Sequence, residues 1–164
     1  GMSALREEVE IDMRIINMGE LLDRIAQLES IKLKEKGIQY TYSSTIKELY
    51  GNEDLIESML VNLLDNAIKA CYETKGSITL KAYEKGAGKI IEVIDNGKGM
   101  TKEEISHITE AFYRVDKSRN RIEGGNGLGL ALCEEIARKH HARLSFESKP
   151  NEGTKVKVVF ALRI

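Results

Sequence analysis

The order of periodic segments predicts an α+β fold, a two-layer α/β sandwich with a mixed, mostly antiparallel sheet and about three main helices. Three observations carry this. Apolar residues recur at helical spacing in three stretches, 18–37, 55–72 and 127–140. Strand-like alternation comes in pairs between them, 77–83 with 89–94 and 143–147 with 154–162. Glycine-containing links of hairpin length join each pair. With 164 residues and 41% hydrophobic content, the chain suits one well-buried domain, taken as residues 13–164.

In chain order, Arg14-Ile15-Ile16 reads as a short strand. Met18, Leu21, Leu22, Ile25 and Leu28 then repeat at helical spacing up to Gly37, which supplies the left-handed residue after a helix end. Ile38 to Ser43 is β-prone and alternates as a half-buried strand does, and Asn52 is an N-cap for the next helix. From Leu55 to Tyr72 the residues Ile56, Met59, Leu60, Leu63, Leu64, Ala67 and Cys71 form one apolar stripe. Ser77 to Tyr83 and Lys89 to Ile94 form a hairpin across Glu84-Lys85-Gly86-Ala87-Gly88, and the apolar second run belongs at the sheet's centre. Thr101-Lys102-Glu103-Glu104 resembles a capping box. From His107 to Asn126 the period is lost and charge accumulates, as in a functional flap or a disordered segment. Gly127-Leu128-Gly129-Leu130 opens a helix carrying Ala131, Leu132, Ile136 and Ala137 to about His140, and a last hairpin turns at Pro150-Asn151-Glu152-Gly153. His140 and His141 close that helix as charge complements to its carboxyl end.

Composition excludes several classes. A net charge of −1 with 31% charged residues gives no global field for nucleic acid or an anionic membrane, so an anion site must be local. No apolar run approaches the length of a membrane span, and no secretory signal is visible. Cys71 and Cys133 lie among apolar neighbours without metal-ligand spacing, which suits a reducing cytoplasm. Gly1 before Met2 reads as a scar of tag removal, and residues 1–12 as scar, linker or the end of a preceding dimerisation helix.

Three constellations carry chemistry. Asn62, Asn66 and Lys69 fall at i, i+4 and i+7, within a sector roughly 60° wide opposite the apolar stripe. Amide oxygens can complete the shell of a hydrated Mg²⁺, and an ammonium can meet a phosphate oxygen. A solvated helix face would also explain these residues, although asparagine is a poor choice for one. Gly125-Asn126-Gly127-Leu128-Gly129 precedes a helix, where unpaired N–H groups and the helix dipole favour phosphate; alone, such a cluster is a weak signal. Asp95 ends a strand before Asn96-Gly97-Lys98-Gly99. It could accept from an exocyclic amine such as adenine's, with Gly97 and Gly99 leaving room for a planar ring. Asp-Asn-Gly by itself reads more simply as a turn.

Taken together, the order Asn-x-x-x-Asn-x-x-Lys, Asp-x-Gly-x-Gly, Phe-Tyr-Arg and Gly-x-Gly-x-Gly resembles the catalytic, ATP-binding domain of sensor histidine kinases. More widely it is similar to the superfamily of gyrase, heat-shock chaperone and mismatch-repair ATPases, with its Bergerat-type fold. The resemblance implies that Asn66 ligates Mg²⁺, and that Asn62 and Lys69 act at the phosphate and metal. It implies that Asp95 reads adenine N6 in a pocket shaped by Gly97 and Gly99. It further implies an F box at Phe112-Tyr113-Arg114-Val115-Asp116, with Arg114 at the transferred phosphate. Gly125, Gly127, Leu128 and Gly129 would form the glycine box in a mobile ATP lid.

ATPase branches of the superfamily carry Glu where this chain has Asn62. A carboxylate there can act as general base toward water and an amide cannot, so Asn62 predicts poor hydrolysis and a site that aligns Mg-ATP for an external nucleophile. The family's nucleophile is a histidine on a dimerisation domain, and His107, His140 and His141 lack its context. The acceptor is therefore expected upstream of this piece, with a response regulator as the further partner and no direct membrane contact by this domain, whether or not the parent protein is membrane-anchored. Two alternatives remain: an anti-sigma-type serine kinase, and a binding module that uses ATP as a conformational ligand.

Overall fold

The structure, a computed structural model, describes residues 10–110 and 129–161. Its elements are β1 (Arg14–Asn17), α1 (Met18–Glu35), β2 (Gln39–Ser44), β3 (Glu48–Gly51), α2 (Glu53–Ala70), β4 (Ser77–Lys85), β5 (Gly88–Asp95), α3 (Lys102–His107), α4 (Gly129–Lys139), β6 (Ala142–Ser148) and β7 (Thr154–Ala161). A five-stranded sheet runs in the order β2-β4-β5-β7-β6, and only the β2–β4 pairing is parallel. The mixed, mostly antiparallel sandwich is thus present, and the apolar run Ile90–Ile94 lies on the central strand.

Helices α1, α2 and α4 pack on one sheet face. Leu80, Val93, Val156 and Val158 point into that layer from adjacent strands, and Ile56, Met59, Leu60, Leu63 and Leu64 of α2 meet them from above, each at most 2% exposed. α2 is therefore the hub of the core, and its apolar stripe cannot rotate without emptying it. Asn52 caps α2 as expected, its side-chain oxygen accepting the Leu55 N–H at 3.0 Å. Asn17 does the same for α1 toward Glu20, and Thr101 and Glu104 form a complete capping box on α3. Gly37 has φ +65°, the left-handed stop read from the sequence.

Three expectations need correction. β2 is mostly exposed rather than half-buried, because it is the sheet's edge and only Tyr40 reaches the core. Leu49-Tyr50 is not merely a lead-in to α2; it belongs to β3, which pairs with β1 as a separate two-stranded ribbon burying Ile16 and Leu49. Leu132 is 44% exposed, and Cys133 takes the inward position on α4 with Ile136 and Ala137. Burial holds the Cys133 thiol up at about 12, so both cysteines behave as small apolar core groups.

Between α1 and α2 the Glu29 carboxyl is 2% exposed, with one oxygen unpartnered. Burial, then a hydrogen bond and like charge from Asp65, push it up to about 7, although Lys32 sits 3.5 Å from Glu29 and 3.0 Å from Asp65. Because the folded value is raised, the stabilisation is fully present below the unfolded value of 4.5 and is lost as pH rises through about 7. Glu29→Gln, which cannot ionise, should therefore gain melting temperature relative to the wild type at pH 8 but not at pH 5; thermal melts at both pH values check this.

Candidate functional site

α2 presents Asn62 and Asn66, both half-buried, and Lys69, exposed in its last turn. The Asn62 amide is fixed: its Nδ2 donates to the Ser58 carbonyl at 2.9 Å, so Oδ1 is the atom left to the site. That oxygen lies 3.4 Å from where a Cβ on Gly129 would stand, and Gly129 is the first described residue of α4. Two motifs 67 residues apart thus lie side by side. Since Asn62 shows an oxygen, it suits a cation or an N–H donor and would repel a bare phosphate oxygen.

Asn66 differs from it. Its Nδ2 is buried without a hydrogen-bond partner, so no protein contact at that nitrogen holds the amide in one orientation. Among the described residues there is no group of three or more His, Cys, Asp or Glu able to hold a metal ion. A divalent ion at Asn66 would need anionic ligands brought by a nucleotide's phosphates, and a neutral amide oxygen is compatible with that arrangement.

Asp95 stands at the end of β5, beyond the last turn of α2, and is 8% exposed. Its Oδ1 accepts the Gly97 N–H at 2.8 Å. Burial pushes its carboxyl up to about 6, against hydrogen bonds from the Gly97 and Thr154 backbones that favour the charged form. A buried carboxyl already oriented by the Gly97 and Thr154 backbones is a selective acceptor for one further N–H donor.

The two glycines after Asp95 are needed chiefly for backbone contact. A Cβ on Gly97 would come within 2.2 Å of the Ala70 carbonyl oxygen, and one on Gly99, at φ +65°, within 1.9 Å of the Lys149 carbonyl oxygen. The loop is stitched to both neighbours: Lys98 N–H to Ala70 O at 2.9 Å, Gly153 N–H to Gly97 O at 3.0 Å and Asn151 N–H to Lys98 O at 2.7 Å. The β6–β7 turn is therefore part of the site's scaffold, with Ser148 bonding Met100 N–H, Gly153 O and Thr154 Oγ1. Sequence reasoning missed this role, because a Pro-Asn-Glu-Gly turn carries no sign of what it packs against.

Another omission is Lys36, whose ammonium reaches from the end of α1 to the Ile68 and Lys69 carbonyls at 2.7 and 3.4 Å and closes the end of α2 that carries Lys69. His140 overturns an expectation. It is 7% exposed and uncharged in character: Nδ1–H donates to the Ile136 carbonyl at 2.8 Å and Nε2 accepts the Asn52 N–H at 3.0 Å. Burial lowers its pKa, so it is no charged complement to the helix end. Arg114 and the rest of 112–116, together with Gly125, Gly127 and Leu128, lie outside the described residues.

Known proteins share this fold. Residues 51–164 match the family described as histidine kinase-, DNA gyrase B-, and HSP90-like ATPase. The chain is 35% identical over 154 residues to the sensor histidine kinase YkoH of Bacillus subtilis, covering 93% of this chain and 33% of that protein. It is 36% identical over 138 residues to the signal transduction histidine-protein kinase ArlS of Staphylococcus aureus, covering 82% and 30%. The chain thus spans about a third of the length of these relatives. Among solved structures, the catalytic domain of histidine kinase ThkA superposes with TM-score 0.79 at 21% identity, over 92% of this chain and 96% of that one. Full-length ShkA in complex with AMPPNP gives 0.80 at 23%, over 98% and 34%. Among the described residues no helix is long and apolar enough to cross a membrane. With residues 51–164 matching the family and the described motifs gathered around one helix, the chain belongs to the histidine kinase-, DNA gyrase B- and HSP90-like ATPase family, as a catalytic, ATP-binding domain of the histidine kinase type.

Proposed function

We propose that this domain binds Mg-ATP across α2 and donates the γ-phosphoryl group to a histidine on a dimerisation domain outside this sequence, in a cytoplasmic two-component pathway ending at a response regulator. The observation that carries this reading is the placement of Asn62 beside the start of α4, with Asp95 at the other end of the same helix. Asp95 accepts from adenine N6, the loop at Gly97 and Gly99 walls the base, and the phosphates run along α2 toward Gly125, Gly127, Leu128 and Gly129. Asn66 offers the metal an amide oxygen, Asn62 supports it from one turn earlier, and Lys69 and Arg114 meet phosphate oxygens. When bound, the magnesium ion neutralises the charge on the phosphates.

Asn62 decides between hydrolysis and transfer. Its amide cannot take a proton from water, and its nitrogen is already committed to Ser58, so the site holds the nucleotide without activating water. Positioning and charge neutralisation are then the protein's whole contribution, and a nucleophile must come from elsewhere. Calorimetric titration of Mg-ATP should show one site, weakened about 10- to 100-fold in Asn66→Asp, which sets an anion beside the phosphates. Labelled ATP with the histidine-bearing helices added in trans should give an acid-labile phosphohistidine. Unchanged affinity in Asn66→Asp, or label on serine, would count against the reading.

A further inference from the structure

We propose that His140 is a positioning residue for the nucleotide site: in its neutral, Nδ1-protonated form it locks the end of α4 to the start of α2, and its protonation releases that lock and weakens nucleotide binding. This rests on the Mg-ATP reading above. The two helices joined are those whose other parts bear the Asn62, Asn66 and Lys69 face and Gly129. The lock involves backbone at both ends, the Ile136 carbonyl in α4 and the N–H of Asn52, the residue that caps α2. A carbonyl can only accept and a backbone N–H can only donate, so both bonds exist in one tautomer alone. A proton on Nε2 would set two donors head to head at the Asn52 N–H, and one helix end must then give way.

The ring is buried, 7% exposed, between the α2 start and β7. A Cβ on Gly51 would come within 3.1 Å of its Cδ2, and Phe160 of β7 meets it edge-on with centroids 6.4 Å apart. Charged and titratable groups around it are few. His141 follows it and opposes its protonation, Arg138 is turned to Glu135, and Glu53 and Asp54 of the first turn of α2 are solvent-exposed. β3 and β7 present Gly51 and Phe160, which do not titrate. Burial and His141 together hold the pKa below the ordinary value, so the lock is closed at neutral pH and opens with acid.

The test is a histidine ¹⁵N NMR titration of the wild-type protein between about pH 8 and 5, with and without saturating Mg-ATP. The free protein should show His140 as the Nδ1–H tautomer. If protonation weakens Mg-ATP on the order of tenfold, linkage requires nucleotide to lower the His140 midpoint by about one pH unit. A bound polyanion acting only through space would raise it instead. His140→Gln, which keeps a donor and an acceptor, should bind Mg-ATP more tightly than His140→Leu, which keeps neither and should lose about tenfold. A midpoint unmoved or raised by nucleotide, or equal affinity in the two variants, overturns the proposal. If the wild type binds no Mg-ATP at neutral pH, the proposed function fails and this inference falls with it; binding with an unmoved midpoint sinks this inference alone.

Discussion

Asp95→Asn should lower Mg-ATP affinity about 100-fold while raising the melting temperature at neutral pH. The two effects have one cause. Asp95 Oδ1 is held by the Gly97 N–H, so an asparagine there keeps its oxygen in that bond and turns its NH₂ toward the base. An exocyclic amine that met a carboxylate would then meet a donor, and losing a charge-assisted hydrogen bond with both groups left unpaired costs about 2–3 kcal/mol. Discrimination against guanine, which places an acceptor where adenine has its amine, should narrow in the same variant.

The stability gain follows from the carboxyl's raised pKa. Its folded value of about 6 lies above the ordinary 3.8, so its stabilisation is fully present below 3.8 and is lost as pH rises through about 6. At pH 7.5 the wild type keeps an ionised carboxylate in a site that is 8% exposed, and the amide does not. The variant's advantage should therefore be present at pH 7.5 and absent near pH 4, and Mg-ATP affinity of the wild type should fall as pH drops through about 6. Calorimetry and thermal melts on the two proteins decide it. A variant that still binds ATP tightly would remove Asp95 from the base pocket, and a variant less stable at pH 7.5 would refute the burial argument.

Local pattern explains what was legible. The Asn62, Asn66 and Lys69 face of α2 and the Asn52 cap depend on helical period within one segment, and both stand where spacing puts them. The α+β class and the two hairpins were readable for the same reason, since each hairpin closes over a few residues. What was not legible depends on partners far away in sequence. β3 is four residues long and exists only because β1 pairs with it, 34 positions earlier at its start. His140 looks like any basic residue at a helix end until Asn52, 88 positions away, is seen to donate to it. Sequence separation also hid a second demand on Gly97, whose backbone packs against the end of α2, 27 positions earlier at Ala70.

That contact yields the largest stability effect. Gly97→Ala should cost about 3 kcal/mol or more and lower the melting temperature by roughly 6–12 °C in a domain of this size. The added Cβ would lie 2.2 Å from Ala70 O, 2.5 Å from Ala70 C and 2.9 Å from Cys71 N, all backbone at the end of α2, so no side-chain rotation can relieve it. The loop must lift, and lifting it strains the Lys98 bond to Ala70 and the Gly153 bond to Gly97 together. Asp95 moves with the loop, so adenine nucleotide affinity should fall alongside. Gly86→Ala is the control. Gly86 has φ +59° but nothing within 4 Å of an added Cβ, so it suffers only the conformational cost of about 1 kcal/mol and stays far from the site. If the two variants melt alike, contact with the end of α2 is not what demands glycine at position 97, and Gly97 reverts to its first reading as a residue that makes space for the base.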